Sequence, residues 1–168
     1  MRELILLRHA KSDWGASFTE DAARPLNRRG REAAEVMGRV LTLAGRAPDL
    51  VLTSPALRAR DTVDLAARAG AWEAPVVTDP RLSPGSPAAV IAAVQERAGE
   101  ARRVMVVGHE PAWSQTAGVL LGGGSLRMAT GTAACLEVPS WEDLGPGSCT
   151  LLWMLAPRLF ADGRFPLL

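Results

Sequence analysis

The sequence predicts an α/β fold, as a single-domain α/β/α sandwich with a mostly parallel central sheet. Short apolar runs alternate with segments of helical periodicity through four successive units, the pattern of a parallel sheet covered by helices. The 168 residues, 48% of them hydrophobic and 22% charged, have the size and composition of one globular domain. Because no repeat, linker or low-complexity tract divides the chain, we expect one domain over residues 1–168.

The elements of the first half follow from this alternation and from signals at their ends. Continuous apolar runs predict buried strands, and apolar residues at helical spacing predict helices. Asn27 is a favourable N-cap for the first helix, and Gly45 and Gly70 are expected to end the first and second helices. In chain order we expect a strand at 3–8, a loop at 10–26, a helix at 27–45, a strand at 49–54, a helix at 56–69, a strand at 75–79 and a helix at 87–98.

The second half is predicted to complete the sheet. The apolar run at 104–107 predicts a fourth strand, and a fourth helix is expected over 112–121, where three glycines end it. Two further runs, 132–139 and 149–155, are predicted strands on either side of a turn-rich insert.

Composition argues against several classes of partner. The net charge of +1 gives no global attraction to nucleic acid or to a membrane, and no aromatic platform for bases stands out. No apolar stretch approaches the roughly 20 residues that span a bilayer. The N-terminus lacks a signal-peptide pattern, so a cytoplasmic protein is expected. Cys135 and Cys149 lie in apolar segments without metal-ligand spacing, and we expect two buried free thiols.

Two histidines follow two of the apolar runs. The only histidines in the sequence, His9 and His109, each come directly after a predicted strand, and Arg8 and the single lysine, Lys11, flank the first. Because ligands of open α/β sheets bind beyond the carboxyl ends of the strands, neighbouring strands would bring both imidazoles into one crevice. Burying Arg8, His9 and Lys11 together is costly unless an anion lies among them.

Phosphate chemistry fits this cluster better than the alternatives. Two histidines lack a third metal ligand at fixed spacing and the adjoining cations would repel a metal ion, so neither a metal nor a cofactor is expected. A Ser-His-Asp triad would need a G-x-S-x-G elbow, which is absent. Guanidinium groups suit phosphoryl oxygens. Arg58, in the first turn after Ser54-Pro55, adds a further guanidinium at the same end of the sheet.

The segments LRHAKSDW, TSPALRARDT and VVGHEP, in this order and with RPLNRRGREAA, resemble the histidine phosphatase superfamily, also called phosphoglycerate-mutase-like. The first segment and the short length resemble its small SixA-type branch of phosphohistidine phosphatases. The resemblance implies a phosphoglycerate-mutase-like fold and makes His9 the nucleophile that forms a phosphohistidine intermediate. The other catalytic residues that it implies are Arg8, Arg58 and His109. The phosphate-binding residues that it implies are Arg8, Arg58, His109 and Ser12, and the neighbouring Lys11 is a further candidate for phosphate binding.

The residues around His9 are compatible with this role. Only a neutral imidazole can attack, and the charges of Arg8, Arg58 and Lys11 would disfavour its protonation. A backbone carbonyl that accepts from one ring nitrogen would fix the tautomer.

The sequence departs from the pattern of the superfamily in three places. Ala10 follows the nucleophile where a glycine is usual, and Glu110 follows His109 where many relatives carry asparagine. The segment TDPRLSPGSP offers only Asp79 where larger members supply an acid. The candidate general acids are therefore Asp79, Glu110 and Asp13.

The lack of a clear acid favours phosphohistidine as the substrate, because imidazole leaves easily whereas an alkoxide needs protonation. A short chain also predicts an open pocket, suited to a phosphorylated side chain of another protein. A small-molecule phosphomonoesterase and a catalytically inactive phosphate-binding module are the alternatives. Trp14 is a candidate for the pocket mouth. The apolar terminal segment 157–168 could pack on the domain or on a second subunit, and the oligomeric state stays open.

Overall fold

The strands form one six-stranded sheet in the computed structural model, which describes residues 1–160. In chain order the strands are β1 (Arg2–Arg8), β2 (Leu50–Thr53), β3 (Val76–Thr78), β4 (Arg103–Gly108), β5 (Ala133–Val138) and β6 (Thr150–Leu155). Their order across the sheet is β3–β2–β4–β1–β5–β6. The first four strands pair in parallel, and β5 and β6 are antiparallel to their neighbours. The predicted α/β fold class is confirmed.

The helices lie close to their predicted positions. They are α1 (Arg28–Leu43), α2 (Leu57–Gly70), α3 (Pro87–Arg97) and α4 (Ala112–Leu120), with short 3-10 helices at Asp21–Ala23, Pro80–Leu82 and Pro157–Leu159. Asn27 caps α1 as predicted, because its side chain accepts from the backbone N–H of Gly30 at 2.8 Å.

The end of α2 differs from the prediction. Gly70 stays inside the helix, and Ala71 adopts the left-handed conformation with φ of 52°. Gly70 is required by packing instead: a Cβ there would lie 2.6 Å from the carbonyl oxygen of Gly38 in α1. The glycine therefore lets two helices approach closely and does not end one.

Both faces of the sheet are buried, which explains the continuous apolar runs of the central strands. On one face Leu4 and Leu6 of β1 pack with side chains of α3 and α4, among them the fully buried Trp113. On the other face Ile5 and Leu7 pack with the apolar side of α1 and α2. The two layers leave the carboxyl ends of the parallel strands at one edge.

The loop after β1 is tied to the start of α1. The backbone N–H of Asn27 donates to the carbonyl of Lys11 at 3.0 Å, and Ser12 and Leu26 form an isolated antiparallel bridge. Gly30 makes this possible, because a Cβ there would lie 2.1 Å from the Lys11 carbonyl oxygen. The polar loop 10–26 is thereby held beside the end of β1.

The remaining expectations concern the cysteines and the terminal segment. Cys135 and Cys149 are both buried free thiols, as expected. The 3-10 helix Pro157–Leu159 contacts α1, whereas most of the terminal segment lies outside the described residues. Within residues 1–160 no helix is both long and apolar enough to cross a membrane.

Candidate active site

The two histidines meet because β1 and β4 are neighbours. Arg8 pairs with Gly108 in the parallel register, so His9 and His109 are the next residues on the two strands. The backbone N–H of His9 donates to the Gly108 carbonyl at 2.9 Å, and the two ring centroids lie 5.2 Å apart. Both imidazoles are buried. The crevice expected from the sequence therefore exists.

Arg8 and Arg58 enter the same crevice from the end of β1 and the first turn of α2. Arg8 Nη1 donates to the carbonyl of Met128 at 2.8 Å. Arg58 donates to Asp21 through both terminal nitrogens, to the carbonyl at 2.8 Å and to the carboxylate at 2.9 Å. These contacts hold both guanidinium groups at the edge of the sheet.

Three buried N–H groups of this cluster have no hydrogen-bond partner among the described residues. They are Arg8 Nε, Arg58 Nε and His109 Nδ1. A buried polar group without a partner costs free energy, typically about 1–3 kcal/mol. Since all three can serve as donors and two belong to cations, the group that would satisfy them is an anion with several oxygen atoms.

His9 is held in one tautomer. Its Nδ1 lies 2.7 Å from the carbonyl of Ala10, and a carbonyl can only accept, so Nδ1 carries the proton and Nε2 presents a lone pair. Burial, followed by the charges of His109, Arg58 and Arg8, lowers the pKa of His9 to about 3 although the Ala10 hydrogen bond opposes this. Burial is thus a larger cause than the charges predicted from the sequence, and Lys11 is not among the causes.

His109 contacts a serine that directly follows the neighbouring strand β2. Its Nε2 lies 2.7 Å from Ser54 Oγ, and Ser54 also accepts from the Ala56 N–H at 3.2 Å. Burial and the charge of Arg58 lower the pKa of His109 to about 4. When Ser54 donates its hydroxyl proton to Nε2, the neutral ring keeps its N–H on Nδ1, the atom without a partner.

The cluster forms the wall of an open pocket of about 370 Å3. The lining residues are Arg8, His9, Lys11, Ser12, Trp14, Arg24, Arg58, His109, Glu110 and Thr130. Ser12 Oγ accepts from Arg24, which leaves its hydroxyl proton available, and Lys11 lies exposed at the rim. Trp14 is 73% exposed at the mouth, with the Arg24 guanidinium 3.6 Å from the centre of its ring.

The candidate acids occupy three different environments. Glu110 lines the pocket, and its carboxylate accepts from the Ser114 hydroxyl at 2.8 Å. Asp13 accepts from the Gly15 N–H in its own loop and does not line the pocket. Glu110 is therefore the one candidate of the three that faces the cluster.

Asp79 corrects an expectation from the sequence. It lies at the edge of the sheet, as its position after β3 predicts, but it is buried outside the pocket and bonded to Arg81 at 2.7 Å. The Arg81 hydrogen bonds hold the pKa of Asp79 below its ordinary value, so this carboxylate has no proton to donate near neutral pH. Its role in the structure is to hold the segment between β3 and α3.

The structure adds three side chains that sequence reasoning did not select. Arg24 lines the pocket, Ser54 contacts His109, and Asp21 accepts from both Arg24 and Arg58. Arg24 and Ser54 lie inside the segments RPLNRRGREAA and TSPALRARDT, and this membership is the signal in the sequence that points to them. Asp21 lies in the long loop, where no local pattern predicts its contact with α2. Within residues 1–160 no group of three or more histidine, cysteine or acidic residues is arranged to hold a metal ion.

Residues 4–84 match the model of the histidine phosphatase superfamily (branch 1). An uncharacterized chloroplastic protein of Arabidopsis thaliana is 32% identical over an alignment of 177 positions, which covers 93% of this chain and 78% of that protein. An uncharacterized protein of Mycobacterium tuberculosis is 33% identical over 163 residues, which cover 90% of this chain and 100% of that protein.

Solved structures share the fold. The protein histidine phosphatase SixA in complex with tungstate matches with a TM-score of 0.82 at 24% identity, covering 94% of this chain and 99% of that one. A protein of Nakamurella multipartitia assigned to the SixA phosphohistidine phosphatases has a TM-score of 0.81 at 29% identity, and the match covers 93% of this chain and 96% of that one. A mycobacterial glucosyl-3-phosphoglycerate phosphatase matches with a TM-score of 0.71 at 19% identity, and the match covers 93% of this chain and 100% of that one.

Proposed function

Since the chain belongs to the histidine phosphatase superfamily and is a phosphatase, we propose that it hydrolyses phosphohistidine in a protein, through a phosphohistidine intermediate on His9. The observation that carries the proposal is the fixed His9 tautomer beside three unpartnered donors. Nε2 presents its lone pair, and Arg8 Nε, Arg58 Nε and His109 Nδ1 belong to pocket-lining residues and have no hydrogen-bond partner among the described residues.

In the first step His9 Nε2 attacks the phosphorus. A phosphorus–nitrogen bond to His9 forms while the bond to the substrate imidazole breaks, and its electron pair stays on the departing nitrogen. The proton on His9 Nδ1 is retained, because the Ala10 carbonyl accepts it. Since His9 is already neutral, no base has to deprotonate it before the attack.

In the second step water attacks the phosphorus and releases His9. The bond to Nε2 breaks, its electron pair returns to the ring, and the second proton of the water ends on a phosphate oxygen. Because Nδ1 still carries its proton, His9 leaves as neutral imidazole, a much better leaving group than its anion. The two guanidinium groups and the His109 N–H would stabilise the charge on the equatorial oxygens in both steps.

The environment of the pocket supports phosphohistidine as the substrate. A substrate imidazole with a proton on its other nitrogen departs neutral, so it needs little help from an acid. The pocket is open to solvent, which gives access to a side chain on a protein surface. The SixA-type protein of N. multipartitia, 29% identical, adds support from a relative.

One observation favours a second candidate, a phosphatase of small phosphate esters. Glu110 lines the pocket and could protonate an alkoxide leaving group. The similarity to the glucosyl-3-phosphoglycerate phosphatase, at 19% identity, concerns the fold alone. This candidate makes Glu110 essential, whereas the phosphohistidine proposal does not.

The test compares wild type with His9→Ala on a protein phosphorylated on histidine with phosphoramidate and on an aryl phosphate. We expect a higher kcat/KM on phosphohistidine and a loss of about a thousandfold or more in His9→Ala on both substrates. His109→Asn is the control, because it keeps the nucleophile and should still form a phosphoenzyme. Undiminished activity of His9→Ala would overturn the proposal. Phosphate binding without turnover by the wild type would indicate a binding module.

Glu110→Gln separates the two substrate classes. We expect phosphohistidine turnover to change less than about threefold, since imidazole leaves without an acid. A loss of a hundredfold or more on alkyl phosphates, together with poor phosphohistidine turnover by wild type, would favour the second candidate.

The setting of this activity is also part of the proposal. The chain would act as one domain in the cytoplasm, and the two free thiols are consistent with a reducing compartment. The substrate is a phosphorylated protein, without a role for nucleic acid or a membrane.

A further inference from the structure

A second hollow of about 220 Å3 lies beside the phosphoryl pocket. The two share Lys11 and Thr130 on their linings, so they are neighbours across the loop that follows β1. Three basic side chains from three different parts of the chain line this hollow. They are Lys11 of the loop, Arg29 of the first turn of α1 and Arg158 of the last 3-10 helix.

Among the described residues these three cations have no ion-pair partner. All three are exposed, and within residues 1–160 none of them forms an ion pair, whereas Arg28, next to Arg29, pairs with Glu32 at 3.1 Å. Clustered like charges repel one another, and a cation in the first turn of a helix also opposes the helix dipole. Arg29 therefore stands where an acidic residue would stabilise α1. A residue whose charge destabilises its own helix is typical of a functional surface.

Most of the other residues that line the hollow are apolar. Ala33, Ala129, Ala156 and Pro157 line it together with the three basic residues. A carboxylate on a short aliphatic stem matches this combination, because the carboxylate can pair with the basic groups while the stem contacts the apolar side chains. Aspartate and glutamate side chains have this form.

We propose that Lys11, Arg29 and Arg158 form a subsite for an acidic side chain of the phosphorylated protein, close in space to its phosphohistidine. The inference rests on the proposed function and names the surface chemistry of its substrate. The phosphoryl group would occupy the pocket of His9, and the neighbouring acidic residue would reach across Lys11 into the hollow. The subsite adds affinity and selects the partner, and it takes no part in the chemical steps.

The test uses two phosphohistidine peptides of equal length. One carries glutamates on both sides of the phosphohistidine, and the other carries glutamines at the same positions. We expect wild type to hydrolyse the glutamate peptide with a lower KM, giving about tenfold higher kcat/KM, and added salt should reduce this advantage. In Arg29→Glu/Arg158→Glu the preference should disappear or reverse, while kcat and aryl phosphate turnover stay near wild type.

Unfolding cannot explain the expected loss, because Arg29→Glu places an acid at the start of α1 and should leave Tm unchanged or higher. The matched control is Arg68→Glu/Arg102→Glu, which makes the same charge change at exposed arginines outside the hollow. It should retain the preference. Three results would overturn the subsite. The control could lose the preference for the glutamate peptide to the same extent, or wild type could hydrolyse both peptides equally well. The third result is an equal decrease in kcat/KM on both peptides in Arg29→Glu/Arg158→Glu.

Failure of the proposed function gives a different result. If neither phosphohistidine peptide is hydrolysed while the aryl phosphate is, the substrate proposal is wrong. The subsite is then tested by measuring whether the unphosphorylated glutamate peptide inhibits aryl phosphate hydrolysis. Inhibition of wild type that Arg29→Glu/Arg158→Glu abolishes supports the subsite, and no inhibition of wild type overturns it.

Discussion

The imidazole rings of His9 and His109 lie 5.2 Å apart, centroid to centroid, because they follow register partners on adjacent parallel strands. Their separation is therefore set by the backbone hydrogen bonds of β1 and β4 and by the buried layers on both sides of these strands. A shift of one residue in the register would turn the side chains of one strand to the opposite face. The geometry of the site is thus a direct consequence of the packing of the sheet.

The residue before His109 must be glycine. A Cβ at Gly108 would lie 2.1 Å from the Trp113 ring, which is fully buried. We expect Gly108→Ala to lower the free energy of unfolding by about 1–3 kcal/mol, because the core has no space for the extra methyl group. Chemical denaturation measures this change, and kcat should fall as His109 moves.

Gly145→Ala is the matched control for that substitution. The nearest atom to a Cβ at Gly145 lies 3.9 Å away, so its effect should stay within about 0.5 kcal/mol. A double-mutant cycle with Trp113→Phe, which removes the clashing part of the ring, should show a favourable coupling. Equal stability of Gly108→Ala and wild type would contradict the argument.

Ser54 is predicted to position His109. Its hydroxyl is fully buried and lies 2.7 Å from His109 Nε2, so Ser54→Ala removes the contact that holds the ring and that favours the Nδ1–H tautomer when the hydroxyl donates. We expect kcat on an aryl phosphate to fall about tenfold with little change in KM. Ser114→Ala, which removes the hydroxyl bonded to Glu110 at the rim, is the control and should keep kcat within about threefold. A kcat for Ser54→Ala within twofold of wild type would show that the tautomer does not depend on this serine.

We predict that Asp21 competes with the substrate for Arg58. Burial alone would raise the pKa of the Asp21 carboxyl, but the hydrogen bonds and charges of Arg24 and Arg58 lower it below its ordinary value. The carboxylate is therefore ionised near neutral pH. Asp21→Asn removes this charge but keeps the backbone carbonyl that Arg58 contacts at 2.8 Å. We therefore expect inorganic phosphate to inhibit the variant about three- to tenfold more tightly, measured against aryl phosphate hydrolysis.

The control for Asp21→Asn is Asp13→Asn, in the same loop. It makes the same charge change, but its carboxylate contacts the Gly15 N–H and none of the three pocket arginines. The inhibition constant of this control should change much less. Weaker inhibition of Asp21→Asn would instead mean that the carboxylate is needed to hold Arg58 in place.

The sequence was sufficient to predict the strand ends and the side chains attached to them. His9, Arg8 and His109 follow or end continuous apolar runs, and Arg58 opens the helix after the second run, so their meeting depends only on which strands are neighbours. The resemblance to a known superfamily added the order of the motifs. Their catalytic roles stay predictions until the variants above are measured.

The side chains that depend on non-local contacts could not be predicted. Asp21 and Arg24 reach the pocket through a loop whose path is set by its bridge to the start of α1. Asp79 is a candidate acid from its segment of the sequence, but its salt bridges to Arg81 and Arg97 hold it outside the pocket. Such contacts carry no local pattern in the sequence, and only the folded chain shows them.

The low pKa values of the two histidines predict a loss of stability in mild acid. An imidazole in the unfolded chain takes up a proton near pH 6.5, whereas burial and neighbouring charges keep His9 neutral down to about 3 and His109 down to about 4. Between pH 6.5 and these lower values the unfolded state binds more protons than the folded state, so the free energy of unfolding decreases as the pH falls. The slope approaches about 1.4 kcal/mol per pH unit for each histidine once the unfolded imidazole is protonated.

The double variant His9→Asn/His109→Asn isolates this contribution. Carboxylates with lowered pKa values, such as Glu3 and Asp21, lose their stabilising charge below their unfolded values near 4, so a measurement from pH 7 to 5 is governed mainly by histidine. We expect denaturant unfolding to show a marked loss of stability over this range for wild type and a much flatter dependence for the double variant. Parallel curves would mean that both imidazoles titrate near their ordinary value in the folded protein. His9 would then be largely protonated at mild acid pH, and phosphatase activity should fall below pH 6.5 because a protonated imidazole cannot attack phosphorus.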